Sequence, residues 1–120
     1  MVKTLFENFA TFNVLVIGDV MIDSYWIGQV SRISPEAPVP VLDVEERQYR
    51  LGGAANVALN VKSLGATPIL CSTIGADAHE MTFLKLMKEN DLSIEGIVSL
   101  SGRKTTIKHR MIANHTQTFR

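Results

Sequence analysis

Three stretches of this 120-residue chain combine residue types and spacings that can do chemistry. In GDVMID (Gly18–Asp23) two carboxylates, Asp19 and Asp23, stand within six residues, directly after a β-branched run. Carboxylates at a strand end accept hydrogen bonds from sugar hydroxyls and can also hold a metal ion. Asp19 can equally serve only to cap a turn. In LGGAANVALN (Leu51–Asn60), Gly52 and Gly53 open a helical pattern. Glycines let a ligand approach the backbone closely, and first-turn amides have no intrahelical partner, so they can donate to an oxygen-rich ligand. Helix side chains lean toward the N-terminus, which brings Asn56 back toward the same spot. Asn60 lies one turn further in and fits a structural role. The alternative is a glycine turn leading into an alanine-rich packing helix. In RKTTIKHRMI (Arg103–Ile112), a strand would place Lys104, Thr106, Lys108 and Arg110 on one face. Such a face can grip a phosphate, Arg by bidentate pairing and Lys as a point charge, or it can be an ordinary solvated strand face.

The elements that must position these residues follow from periodicity. Val2 to Phe12 reads as a short amphipathic helix with Leu5, Phe6 and Phe9 on one side. Asn13–Gly18 is a β-branched run ended by glycine, the pattern of a strand buried on both faces. Ser24–Val30 and Val39–Val44 read as short edge strands outside the main sheet, separated by a proline-bearing segment. Gly52–Leu64 is predicted helical, with Gly65 as its stop. Ile69–Ile74 reads as a second buried strand. Asp77 then caps a helix to about Asn90, with Glu80 completing a capping-box pattern and Phe83, Leu84 and Met87 as the apolar stripe. Ile94–Leu100 is a further strand. Strand alternating with helix predicts an α/β fold with a mainly parallel sheet, whose ligands bind at the carboxyl ends of the strands.

Composition narrows the classes. Twelve basic and twelve acidic residues balance, which gives no cue toward nucleic acid or an anionic membrane. The single cysteine, Cys71, allows no internal disulfide and reads as a buried packing residue of a reducing compartment. Met1 to Phe12 lacks the continuous apolar region of a signal peptide, and no apolar run is long enough to span a bilayer. His79 falls early in a predicted helix and reads as solvated, and His109 and His115 form no metal-ligand spacing with Cys71 or any carboxylate, so no metal site is expected. Neither a dinucleotide fingerprint nor a Walker A loop is present.

Taken together, GGAANVALN, the stretch DSYWIGQVSRISPEAPVPV and the closing TTIKHRMIANHTQTFR resemble the ribokinase-like (PfkB) carbohydrate kinases from about Asn13 to Arg120. The proline-bearing stretch narrows the resemblance to the branch that acts on heptose 7-phosphate. The resemblance implies the N-terminal portion of a ribokinase-like α/β domain over residues 1–120. A mainly parallel sheet would be flanked by helices, with a small β-lid built from about 24–49 and 103–120. It implies substrate-binding roles for Asp23, Gly52, Gly53 and Asn56, with Asp19 close by, and for Lys108 and Arg110 at the sugar or its phosphate. It also implies ATP and Mg²⁺ as the phosphoryl donor and its metal, a homodimer formed through the lid, and a bacterial cytoplasm. The expected reaction is phosphoryl transfer to heptose 7-phosphate, giving heptose 1,7-bisphosphate on the way to ADP-heptose for the lipopolysaccharide core. The family's GAGD-type motif, which supplies the catalytic base and anion hole, does not occur in these residues. No catalytic base is therefore expected in this chain, and the ATP-binding half is expected beyond Arg120. The alternatives are a kinase of the same family for another sugar or a nucleoside, or a non-catalytic dimerisation or sugar-binding fragment.

Overall fold

The β-branched run Asn13–Ile17 pairs in parallel with a second such run, Thr67–Gly75. The computed structural model describes Met1–Phe119, with side chains to His115; Arg120, the last residue of the expected lid segment, lies outside the described residues. In chain order the elements are α1 (Val2–Phe9), β1 (Asn13–Ile17), β2 (Val20–Ile33), β3 (Pro40–Gly53) and α2 (Ala54–Ser63). They continue with β4 (Thr67–Gly75), α3 (Glu80–Glu89), β5 (Ile97–Leu100), β6 (Ile107–Ala113) and β7 (Thr116–Phe119). The chain divides into two units. One comprises Met1–Ile22 and Leu51–Thr106, the other Asp23–Arg50 and the residues from Ile107 onward.

The first unit holds a three-stranded sheet in the order β1-β4-β5. Both pairings are parallel, with Leu15 opposite Ile69, Ile17 opposite Cys71 and Thr73 opposite Val98. Parallel neighbours need long crossovers, and α3 supplies the one from β4 to β5. Val16, Leu70 and Ile74 are buried on one face of the sheet, and Ala55 and Ala58 of α2 and Phe83 and Met87 of α3 are buried as well. The small side chains of Ala55 and Ala58 suit an α2 that packs closely on β1 and β4. Lys62 of α2 donates to the carbonyl of Asn90 at 2.6 Å, placing a cation at the carboxyl end of α3, where the helix dipole favours it. These elements form an α/β arrangement, a parallel sheet with flanking helices.

Two expectations fail in this unit for one reason. β1 is not buried on both faces: Leu15 and Ile17 are 60% and 72% exposed. Cys71 is exposed rather than packed, because strand alternation puts it on that same open face, opposite Ile17. No described element covers this face.

The second unit is a four-stranded sheet in the order β3-β2-β6-β7. The strands expected over 24–30 and 39–44 are far longer, at 14 residues each, and β2 is interior rather than an edge. The prolines do not prevent this. Pro35 and Pro38 lie in the connecting loop, and Pro40 is the first residue of β3, a position where proline is tolerated in strands. The antiparallel β6–β7 pair turns at Asn114 and His115, whose φ values of 48° and 66° are both left-handed, as a two-residue primed turn requires. Along β2, Asp23 and Tyr25 point to one face of the sheet, and Ser24 and Trp26 to the other.

Candidate substrate-binding site

In the first unit backbone sets the candidate residues. The chain turns at Gly18–Asp19 between β1 and β2, at the carboxyl end of a parallel strand. The Asp19 carbonyl accepts from the amide of Ala54, the first residue of α2, at 2.8 Å. One of the helix's orphan donors is thus already satisfied by protein, which leaves fewer for a ligand than the sequence implied. Gly53 makes this possible. Its φ of 61° and ψ of −136° lie where side-chain-bearing residues are strained, and a Cβ there would run into the Asp19 carbonyl oxygen. Gly52 is buried beside it at the end of β3, and Asn56 is exposed in the first turn of α2. The Asp19 carboxylate is 97% exposed, with Arg103 4.0 Å away. So Asp19, Gly52, Gly53 and Asn56 share one frame of turn, strand end and helix start. A shallow depression of about 310 Å³ opens beside it, lined by Gly18, Asp19, Cys71, Ser72 and Thr73 among others. A larger one of about 680 Å³, beside α3 and the 91–95 loop, contains none of the predicted site residues.

In the second unit side chains set the candidate residues of that unit. Lys108 Nζ lies 2.9 Å from Asp23 Oδ1, and Arg110 Nε lies 3.9 Å from the same oxygen. All three are mostly buried, with side-chain exposures of 15% for Asp23 and 25% for each cation. The sequence placed Lys108 and Arg110 on one strand face, and the structure adds that their shared partner is Asp23. Asp23 lies inside β2 rather than in the loop before it. Lys104 and Thr106, expected on the same strand face, precede β6. An ammonium and a guanidinium beside one carboxylate are the donor types that bind an anion through charge-assisted hydrogen bonds.

Sequence reasoning missed two features. Tyr25, two residues after Asp23, has the Arg50 guanidinium over its ring at 4.8 Å and that of Arg110 at 5.7 Å. The signal was the period of two that puts Tyr25 on the Asp23 face. The second feature is a clamp around Asp77. Its Oδ2 accepts from the Thr105 amide at 2.7 Å, and its Oδ1 accepts from the Thr105 hydroxyl at 2.9 Å and the His79 amide at 3.0 Å. Chiefly through the Thr105 amide, these bonds hold the Asp77 carboxyl below its ordinary value. Asp77 is therefore not the helix cap expected of it. The α3 cap position is His79, with no side-chain bond, and the carboxylate instead ties the end of β4 to the chain 28 residues on. Among the described residues no three His, Cys, Asp or Glu side chains converge as a metal site would require.

Comparison with known proteins bears on the family of the chain. Residues 11–120 match the pfkB family carbohydrate kinase description. The chain is 46% identical over 114 residues to D-beta-D-heptose 7-phosphate kinase of Bordetella bronchiseptica, covering 95% of this chain and 36% of that protein. It is 45% identical over 107 residues to bifunctional protein HldE of Helicobacter pylori strain P12, covering 89% of this chain and 23% of that one. The chain thus spans about a third or less of the length of these relatives. Among solved structures, Halothermothrix orenii fructokinase superposes with a TM-score of 0.61 at 27% identity, over 89% of this chain and 36% of that one. The Methanocaldococcus jannaschii nucleoside kinase gives a TM-score of 0.62 at 20% identity, over 88% and 35%. With the turn, the paired glycines and the helix start all in place, the match over nearly its whole length shows that this chain belongs to the pfkB family of carbohydrate kinases.

Proposed function

We propose that this chain is the sugar-binding portion of a kinase that transfers the γ-phosphoryl group of ATP to heptose 7-phosphate, giving heptose 1,7-bisphosphate. The observation that carries the reading is the 46% identity to a heptose 7-phosphate kinase across 95% of the chain. The Asp23–Lys108–Arg110 cluster supports it, because it offers both a hydroxyl acceptor and cations for a phosphate.

Each residue has a role in this reading. Asp19 and Asp23 accept hydrogen bonds from substrate hydroxyls. Gly52 and Gly53 let the sugar approach the backbone, and Asn56 supplies a carboxamide from the first turn of α2. Lys108 and Arg110 hold the 7-phosphate. What such a site contributes is position and charge neutralisation, on which phosphoryl transfer chiefly depends. The family uses ATP and Mg²⁺ generally. The described residues offer no cluster that fits the metal. The reading assigns the nucleotide, the metal and the catalytic base to residues outside this chain. It further includes a homodimer formed through the sheet of the second unit and a bacterial cytoplasmic setting that feeds ADP-heptose synthesis for lipopolysaccharide. No helix among the described residues is long and apolar enough to cross a membrane.

The test is an acceptor panel. The full-length translated protein, given ATP and Mg²⁺, should phosphorylate heptose 7-phosphate in preference to ribose, fructose and inosine. Preference for one of the others would replace heptose phosphate as the substrate. The 120-residue chain alone should show no turnover, and turnover comparable to the full-length protein would contradict the division of roles.

A further inference from the structure

The cationic cluster of the second unit extends beyond the two residues already assigned to the substrate. Tyr25 stands on β2, and its ring is approached by Arg50 from β3 at 4.8 Å and by Arg110 from β6 at 5.7 Å. These two strands flank β2. Arg50 is held from a second direction as well. One of its terminal nitrogens donates to Gln48 Oε1 at 3.0 Å, and Gln48 Nε2 donates to Glu46 Oε1 at 2.8 Å. These residues occupy alternate positions of β3, so they form a row along one face.

The chemistry of this row is selective. A guanidinium stacked on an aromatic ring and bonded at one end is oriented before any ligand arrives. The group that orients it is a neutral carboxamide, which fixes Arg50 without cancelling its charge. On the same face, the Asp23 carboxylate is engaged by Lys108 at 2.9 Å. Arg50 and Arg110 thus stand at Tyr25, and Lys108 and Arg110 at Asp23, with the Glu46 carboxylate at the far end of the Gln48 row. Arg50 on β3 and the two cations on β6 stand on either side of β2, and a bound dianion attracts all three. Arg50 is exposed and accessible to such a ligand.

We propose that Arg50 is a specificity-determining residue: with Lys108 and Arg110 it holds the phosphate of a sugar phosphate and so selects phosphorylated over unphosphorylated sugar. This rests on the reading of the site as that of a sugar-phosphate kinase. The competing role for Arg50 is a prop that only packs against Tyr25.

The experiment uses the full-length protein and measures kcat/KM for heptose 7-phosphate and for the same heptose without phosphate. Arg50→Gln removes the charge, and Arg50→Lys keeps it without the planar fork. The ratio of the two kcat/KM values should fall about ten- to a hundredfold in Arg50→Gln, mainly through KM for the phosphorylated sugar, and less in Arg50→Lys. Inorganic phosphate should compete with heptose 7-phosphate, and its inhibition constant should rise by a similar factor in Arg50→Gln. An unchanged ratio in both variants, with the wild type active and selective, overturns the role of Arg50 and leaves the kinase reading standing. A lower Tm with equal losses on both sugars makes Arg50 a prop and also overturns it. A wild type that phosphorylates no sugar phosphate overturns the kinase reading, and this inference with it. If Arg50→Gln does not fold, Arg50→Lys decides: a fallen ratio supports the role and an unchanged one overturns it.

Discussion

The two units of this chain fix their candidate site residues by different physics. In the first, backbone does the positioning. The Asp19 carbonyl is bonded to the Ala54 amide, Gly53 is held in a glycine conformation, and the frame rests on a core in which Ala55, Ala58, Phe83 and Met87 are fully buried. In the second, side chains do it. The only buried hydrophobic residue there, among the described side chains, is Ala113. The Asp23 ion pairs and the arginines stacked on Tyr25 set the geometry instead. A frame built from backbone tolerates substitution poorly. A frame built from charged side chains responds in graded steps that a ligand can exploit.

The largest effect should come from breaking the backbone frame. Gly53→Ala imposes a strained φ and a clash with the Asp19 carbonyl, and should cost roughly 2–6 kcal/mol of stability by thermal unfolding. A wild-type Tm in this variant would show that α2 starts elsewhere. Phe83→Ala, which empties a fully buried site of the same unit, should cost about 3–5 kcal/mol. Asp23→Asn tests the side-chain frame and should act mainly on function. In the full-length protein, loss of a charged hydrogen bond, about 1.5–3 kcal/mol, should lower kcat/KM for the sugar about ten- to a hundredfold, while KM for ATP stays near wild type. Wild-type kcat/KM would remove Asp23 from the sugar site.

The smallest effect concerns Asp77. Its folded pKa is lowered from 3.8, so its contribution to stability is present above that value and is lost as pH falls through the lowered one. Asp77→Asn should flatten this part of the acid unfolding profile and speed hydrogen exchange at the Thr105 amide. An unchanged acid profile would mean that the clamp does not form in solution.

How legible these frames were in the sequence follows the same division. Gly52, Gly53 and Asn56 were readable because two glycines before an alanine-rich helical period leave few alternatives. Lys108 and Arg110 were readable as a strand face, although their partner was not. Asp23 and Lys108 are far apart in the chain, and nothing local says that β2 and β6 are neighbours. The Asp77–Thr105 clamp was hidden for the same reason, and a local pattern, Asp77 with Glu80, offered a plausible but different use for the carboxylate. Long β2 and β3 were obscured by prolines that lie in the loop between them and at the start of β3. The exposure of Cys71 could not be read from its apolar neighbours, since it depends on which sheet face is covered.

The claim that the second unit reads the charge of the substrate is tested most directly at Lys108, the cation closest to Asp23. In the full-length protein, Lys108→Ala should lower the ratio of kcat/KM for heptose 7-phosphate over unphosphorylated heptose by about tenfold or more. An equal loss on both sugars would contradict the account and leave Lys108 as a support for Asp23 alone.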